Sequence, residues 1–151
     1  MSDLLTKELL AYIGTSAEPK EEVVTRRDIR KYSVATSQRM QKFLDGDEAP
    51  PMFHISLFWD VVELDQLTPD GVFIDTLIPE LPLKRAMAGG LKIEYHQPVY
   101  PGDVLTATRT LTDLYEKQGS QGPLIFYEVT MEVKDDTGAP VLTEKATRIM
   151  R

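Results

Sequence analysis

The 151-residue chain contains no cysteine, so it can form neither a disulfide nor a thiolate metal site. Its two histidines are too few for a multi-histidine metal centre within one chain, and no metal is expected. Basic residues are in deficit, 17 Lys and Arg against 24 Asp and Glu, and the net charge of −7 argues against non-specific nucleic-acid binding. No run approaches the ~18 apolar residues of a membrane span. The start, MSDLLTKELL, lacks the cationic beginning and apolar stretch of a secretory signal. Phosphate-cradling patterns such as Gly-x-Gly-x-x-Gly are missing, as is any Ser-His-Asp constellation. These absences describe a cytoplasmic, soluble chain with no metal, no membrane and no nucleic-acid partner. What is present is ordinary for a globular protein, 42% hydrophobic and 27% charged, and long enough for one domain, 1–151, with a core of its own.

Residues 1–22 read as an N-terminal helix and linker. Ser2 can cap a helix over 2–13, with Leu5, Leu9 and Ile13 on one face and Gly14 ending it; TSAEPK then links onward. Thr25 and Asp28 form a capping-box pattern that opens a second helix. Ile29, Tyr32 and Ala35 or Thr36 should face its core, and Arg26, Arg27, Arg30 and Lys31 should stay wet. A polar stretch with an Asp-Gly-Asp turn leads to Pro50-Pro51 and the most apolar segment, MFHISLFWDVVELDQL. Ser56, Asp60 and Glu63 make a narrow wet stripe on it, which predicts a long buried helix with Phe58 and Trp59 in the core. Taken alone, Phe53, Ile55, Leu57 and Trp59 also fit a strand.

The stretch 79–103, PELPLKRAMAGGLKIEYHQPVYPGD, is the most informative. A loop with two prolines over 72–88 ends in Gly89-Gly90, and Leu91, Ile93 and Tyr95 then alternate as a strand. Pro101-Gly102-Asp103 is a turn in which Pro presets φ, Gly supplies positive φ and Asp bonds locally. Further strands follow from about 104 to 115, through Ile125, Tyr127, Val129, Met131 and Val133, and over 141–150. EKQGSQGP and DDTGAP connect them. Four strands with short turns predict an antiparallel meander that must wrap the apolar helix. The fold class is therefore α+β, a hot-dog arrangement of a long buried central helix inside an antiparallel sheet.

Three pieces in this order carry a resemblance: LPLKRAMAGG (81–90), HQPVYPGD (96–103) and EKQGSQGPLIF (116–126), preceded by Ala-Pro-Pro-x-Phe at 49–53. From about Val23 to Arg151 the chain resembles the MaoC-like hot-dog dehydratases and hydratases. More narrowly, it resembles the N-terminal dehydratase-type domain of mesaconyl-CoA hydratases and 3-hydroxyacyl-thioester dehydratases. The resemblance implies reversible addition of water across the 2,3 double bond of an acyl thioester, with coenzyme A as part of the substrate and no separate cofactor. It also implies an Asp/His pair in a Gly-Asp-x-Asn-Pro-x-His overhang before the central helix, doing general acid–base work. Amides at the start of that helix would polarise the thioester carbonyl.

The sequence departs from that pattern. The overhang should lie between Tyr32 and Ala49, where there is no histidine; Gly46-Asp47 matches only its beginning. The expected role is thus an acyl-CoA-binding subunit of an (R)-type enoyl-CoA hydratase, lacking the catalytic pair and acting with a catalytic hot-dog partner. The alternatives are a self-sufficient homodimeric enoyl-CoA hydratase using His54 and Asp47, and a non-enzymatic acyl-CoA-binding module. Either way a homo- or heterodimer is expected, because an open sheet edge is usually covered. Substrate contacts are expected from Phe53, from Lys84 and Arg85 toward coenzyme A phosphates, and from Met87, Ala88, Gly89 and Gly90 along a pantetheine arm. His96 and Asp103 read as structural.

Overall fold

The alternation after Val104 produces a sheet with one well-covered face. In the computed structural model, which describes residues 4–151, strands β3 (Val104–Gly119), β4 (Gly122–Asp135) and β5 (Pro140–Met150) run as an antiparallel meander. β1 (Lys20–Val23) adds to the outer side of β3 and β2 (Ala86–Tyr95) to the outer side of β5, giving the order β1-β3-β4-β5-β2. On β4, Ile125, Val129 and Val133 are buried, with Tyr127 and Met131 half-buried between them, as period-2 alternation requires. On β3 the phase shifts: Leu105, Ala107 and Leu111 point inward, but the next inward residue is Leu114. A bulge between Leu111 and Asp113 inserts Thr112, whose hydroxyl bonds Thr130 across the ladder at 3.0 Å.

The connections follow their local chemistry. Ser120 and Gln121 close the β3–β4 hairpin between the paired Gly119 and Gly122. The Asp135 carboxylate accepts from the amides of Thr137 and Ala139, each at 3.0 Å, and organises the next turn. Hydrogen bonds from Thr137 first, then Gln97, hold its pKa below the usual aspartate value. Asp103 caps its own turn by accepting from the Tyr100 amide at 2.8 Å.

Four short helices cover the sheet: α1 (Lys7–Leu10), α2 (Arg26–Ala35), α3 (Gln41–Leu44) and α4 (Phe53–Leu57). α2 begins at the capping residue expected of it, since the Thr25 side chain accepts from the Asp28 amide. Ile29 is fully buried on its inner face, but one turn on it is Ser33 that is buried, while Ala35 and Thr36 are exposed. The main core joins Ile29 of α2 and Phe53 and Phe58 around α4 to Leu105, Ala107, Val133, Val141 and Leu142 of the sheet. Two smaller clusters, around Leu77–Leu111–Val129 and Leu81–Leu114–Ile125, lie farther along, where the irregular segment after Phe73 covers the sheet directly.

Four expectations are corrected. The long central helix is only five residues, Phe53–Leu57, followed at a distance by a 3-10 turn over Leu64–Gln66. Beyond Phe58 the chain is drawn aside: Asp60 is ion-paired with Lys20 of β1, and Trp59, 58% exposed, meets the Phe73 ring edge-on at 5.5 Å. Val61 and Val62, which are β-branched, also weaken helical continuation, and Val61 is entirely exposed. Second, the strand after the glycine pair is not part of the meander, because β2 pairs with β5 rather than β3. Third, Gly89 and Gly90 lie within β2 at a bulge opposite β5, not at a loop end. Fourth, the N-terminal helix is a single turn capped by Thr6, and the linker contributes a bridge, Ser16 to Thr110, before β1. Ser2, its expected cap, lies outside the described residues. No helix among the described residues is long and apolar enough to cross a membrane.

Gly46 fastens α3 to α2. Its φ is +75°, and an added Cβ would stand 2.7 Å from the Arg26 carbonyl oxygen and 2.9 Å from Arg30 Cγ. Gly46→Ala is expected to destabilise by about 1–3 kcal/mol, through overpacking added to backbone strain. Urea unfolding monitored by far-UV circular dichroism would measure it, and a loss below a few tenths would show that the two helices separate freely.

Candidate functional site

A cavity of ≈390 Å³ opens beside the start of α4. Pro50 and Pro51 lead the chain in, and Met52 turns it with φ 66°, an unusual conformation for a residue with a side chain. The Met52 amide donates to the Tyr95 hydroxyl of β2 at 2.9 Å, which ties this turn to the sheet. Phe43, Ala49, Phe53, Leu57, Leu105 and Leu142 make the walls predominantly apolar.

His54 also lines this cavity and is 3% exposed. Its Nε2 lies 2.5 Å from Glu144 Oε2 on β5. Its Nδ1 is buried with no hydrogen-bond partner among the described residues. Glu144 follows Leu142 by two residues and precedes Ala146 by two, so a carboxylate occupies a core-facing register on a strand that pairs it with Met131 and Ile93. The sequence reading missed Glu144. The available signal was an acid at an inward position of an alternating strand, opposite a histidine in an apolar segment.

The other expected site residues are placed as follows. Phe53 lines the cavity beside His54. Asp47 does not: it is exposed and ion-paired with Arg26, so the structure does not bring it to His54. Its neighbour Glu48 is held by Lys42 at 3.0 Å. Lys84 pairs with Glu80 at 2.7 Å on the surface, and the Arg85 backbone pairs with Arg151. Met87, Ala88, Gly89 and Gly90 are exposed on β2, outside the cavity lining. The space a Gly89 side chain would need is filled by Thr147 and Ile149 of β5, at 3.0 and 3.1 Å from a Cβ. At the start of α4, the Met52 amide is taken by Tyr95 and the Phe53 amide by the Pro50 carbonyl. Of the two structural readings, Asp103 caps its turn, while His96 bonds Thr143 at 3.2 Å at the cavity rim.

A second cavity, ≈340 Å³, lies over β1 and β3. Four of its five charged lining residues are paired with one another: Arg109 holds Asp75 at 2.6 Å and Lys20 holds Asp60. Burial lowers the Lys20 pKa, helped by the neighbouring Arg109 charge and opposed by Asp75 and Glu22. Near the first cavity, burial raises the Tyr32 pKa, with Tyr95 adding to it, so the ring that meets Phe53 edge-on stays protonated.

A five-stranded antiparallel sheet in this order, with a helix packed across it beside an apolar cavity, is a hot-dog fold of the kind that hydratases use. The model of the FAS1-like dehydratase domain region matches residues 11–144, and the chain belongs to that family, among the MaoC-like dehydratases. The mesaconyl-C(4)-CoA hydratase of Chloroflexus aurantiacus is 25% identical over 126 residues, covering 82% of this chain but 44% of that protein; the chain thus spans under half of this relative. Among solved structures, one from the ChsH1–ChsH2 complex of Mycobacterium tuberculosis superposes with a TM-score of 0.69 at 14% identity, over 95% of this chain and 86% of that one. The R-hydratase PhaJ1 of Pseudomonas aeruginosa gives 0.60 at 18%, over 91% and 80%. At these identities the likeness is one of fold.

Proposed function

We propose that this chain is the acyl-thioester-binding half of a cytoplasmic hydratase or dehydratase, and that a second hot-dog unit carries the Asp/His pair that handles water. The observation that carries this reading is the segment between α2 and α4. Two of its three carboxylates, Asp47 and Glu48, are ion-paired with Arg26 and Lys42, the third, Asp45, accepts from Gln41, and no histidine lies there, yet the apolar cavity behind it is intact. Such a cavity suits an acyl chain, and the segment before it offers no histidine to handle water in the family's manner. The relative that this chain matches over less than half its length acts on a coenzyme A thioester, and another neighbour in fold is solved as a two-component complex. Both support an incomplete unit that takes its carrier as substrate. β2 is an edge strand exposed at nearly every position, and it offers the ladder along which a partner would join.

The test is turnover of crotonyl-CoA by the purified chain, alone and after co-purification with its native partner. Alone it should hydrate no faster than background, and the co-purified complex should turn over. A rate of order 1 s⁻¹ or more from the pure chain would overturn the reading.

One observation favours a second reading. His54 and Glu144 form a buried imidazole–carboxylate pair in the cavity wall, the arrangement that orients a general base. A self-sufficient hydratase would use that pair in place of His54 and Asp47, and His54→Gln would then abolish turnover by the chain alone.

A further inference from the structure

Charge is divided unevenly between two neighbouring stretches of the chain. Residues 26–42 carry six Lys and Arg against one acid, while residues 43–83 carry nine acids and neither Lys nor Arg. Ion pairs satisfy part of this imbalance: Arg26 with Asp47, Lys42 with Glu48 and, from the sheet, Lys20 with Asp60 and Arg109 with Asp75. What they leave over is two surface patches of opposite sign, each mixed with uncovered apolar side chains. On α2, Arg27, Arg30, Lys31 and Val34 recur at helical spacing along one exposed stripe, and Arg39 and Met40 follow it. Val34 and Met40 are more than half exposed. None of the four bases enters an ion pair among the described residues.

The second patch is the segment 59–76, which doubles back on itself. Trp59 meets Phe73, Leu67 bridges to Phe73, and the Thr68 amide donates to the Val72 carbonyl at 2.8 Å. Asp60 and Asp75 pin its ends to the sheet. Between them Val61, Leu64, Val72 and Ile74 are each half exposed or more. Glu63, Asp65 and Asp70 are exposed beside them and form no ion pair among the described residues. A monomer rarely leaves so many large apolar side chains together in water, whereas an interface requires them.

We propose that these two patches are the two halves of a homodimer interface, α2 of each copy docking on the 59–76 segment of the other. The occupant is a second copy because the chain carries, for each patch, a surface of opposite sign with apolar side chains to match. Both patches flank the same edge of the sheet. α2 follows β1 after Val24 and Thr25, and Asp60 is held by Lys20 at the start of β1. A two-fold axis at that edge sets each patch against its opposite and closes the assembly, where one-way pairing would give an open chain. β2 lies at the other edge, so its ladder stays free for a hot-dog partner. The interface does not depend on what the cavity binds.

Sedimentation equilibrium of the purified chain tests this, with two charge reversals at exposed positions. The wild type should dimerise in the micromolar range. Glu63→Lys with Asp65→Lys should raise the dissociation constant at least about a hundredfold, because it sets lysines against the bases of α2. Arg27→Glu with Lys31→Glu should do the same from the other side. Mixed in equal amounts, the two variants should associate as the wild type does, since each patch then faces one of opposite sign. A monomeric wild type overturns the proposal. So does association that either reversal leaves unchanged, which would place the contact elsewhere, and so does a mixture that stays dissociated.

Discussion

His54→Leu is expected to destabilise the chain by about 3–5 kcal/mol, because it strands the Glu144 carboxylate, 12% exposed, against an apolar sheet face. For a chain of this length that corresponds to a fall in melting temperature of roughly 6–20 °C. Glu144→Leu should cost less, about 1–3 kcal/mol, since it leaves a buried ring nitrogen without its hydrogen-bond partner rather than a stranded carboxylate. The double substitution should lie close to the wild type, because it removes two polar groups whose chief energetic role is to compensate one another. Thermal and urea unfolding of the four proteins completes the cycle. Additive losses would mean that the two side chains act independently and that the 2.5 Å contact contributes nothing by itself.

The same pair illustrates what sequence reading can reach. Features set by neighbours in the chain were legible. Thr25 caps α2 onto the Asp28 amide, Asp103 closes its own turn, and inward residues on β4 recur every second position. Each depends on groups a few residues apart. The apolar segment after Pro51 was misjudged in length because its pattern suits a helix, while its end is decided by partners far away. Asp60 meets Lys20 and Trp59 meets Phe73, so an apolar stretch that would be buried in a longer helix runs out to the surface. Gly89 raised the expectation of a ligand, but the room it makes is used by Thr147 and Ile149.

The candidate site divides along the same line. His54 stood out as a lone histidine in an apolar run, and Phe53 as its neighbour, and both line the cavity. Asp47 was attractive because it follows a glycine as the family's motif does. Its carboxylate is committed to Arg26, a partner whose helical position was legible but whose reach was not. Glu144 lies 90 residues from His54, and only the register of β5 puts it on the inner face. One further consequence is that the family's acid–base segment and this chain's buried pair are separate features. The chain can lack a histidine in the first and still keep a polar pair in its cavity wall.

The walls of that cavity also belong to the core, and this separates stability from specificity. Leu105 is 1% exposed, belongs to the main cluster and lines the cavity. Leu111 is fully buried on the same strand but belongs to the second cluster, away from the lining. Truncating either to alanine is expected to cost about 2–5 kcal/mol, the transfer term plus the void left behind. Chemical denaturation should therefore rank the two variants together. Their acyl-CoA binding should differ. Leu105→Ala adds volume to a space of ≈390 Å³ and should shift preference toward longer or branched acyl groups, whereas Leu111→Ala should leave the preference unchanged. Competition between butyryl-CoA and longer acyl-CoAs, at a temperature where both variants remain folded, reads the difference directly. A common shift would mean that the acyl group reaches the second cluster; no shift with Leu105→Ala would mean that it never reaches the Leu105 wall.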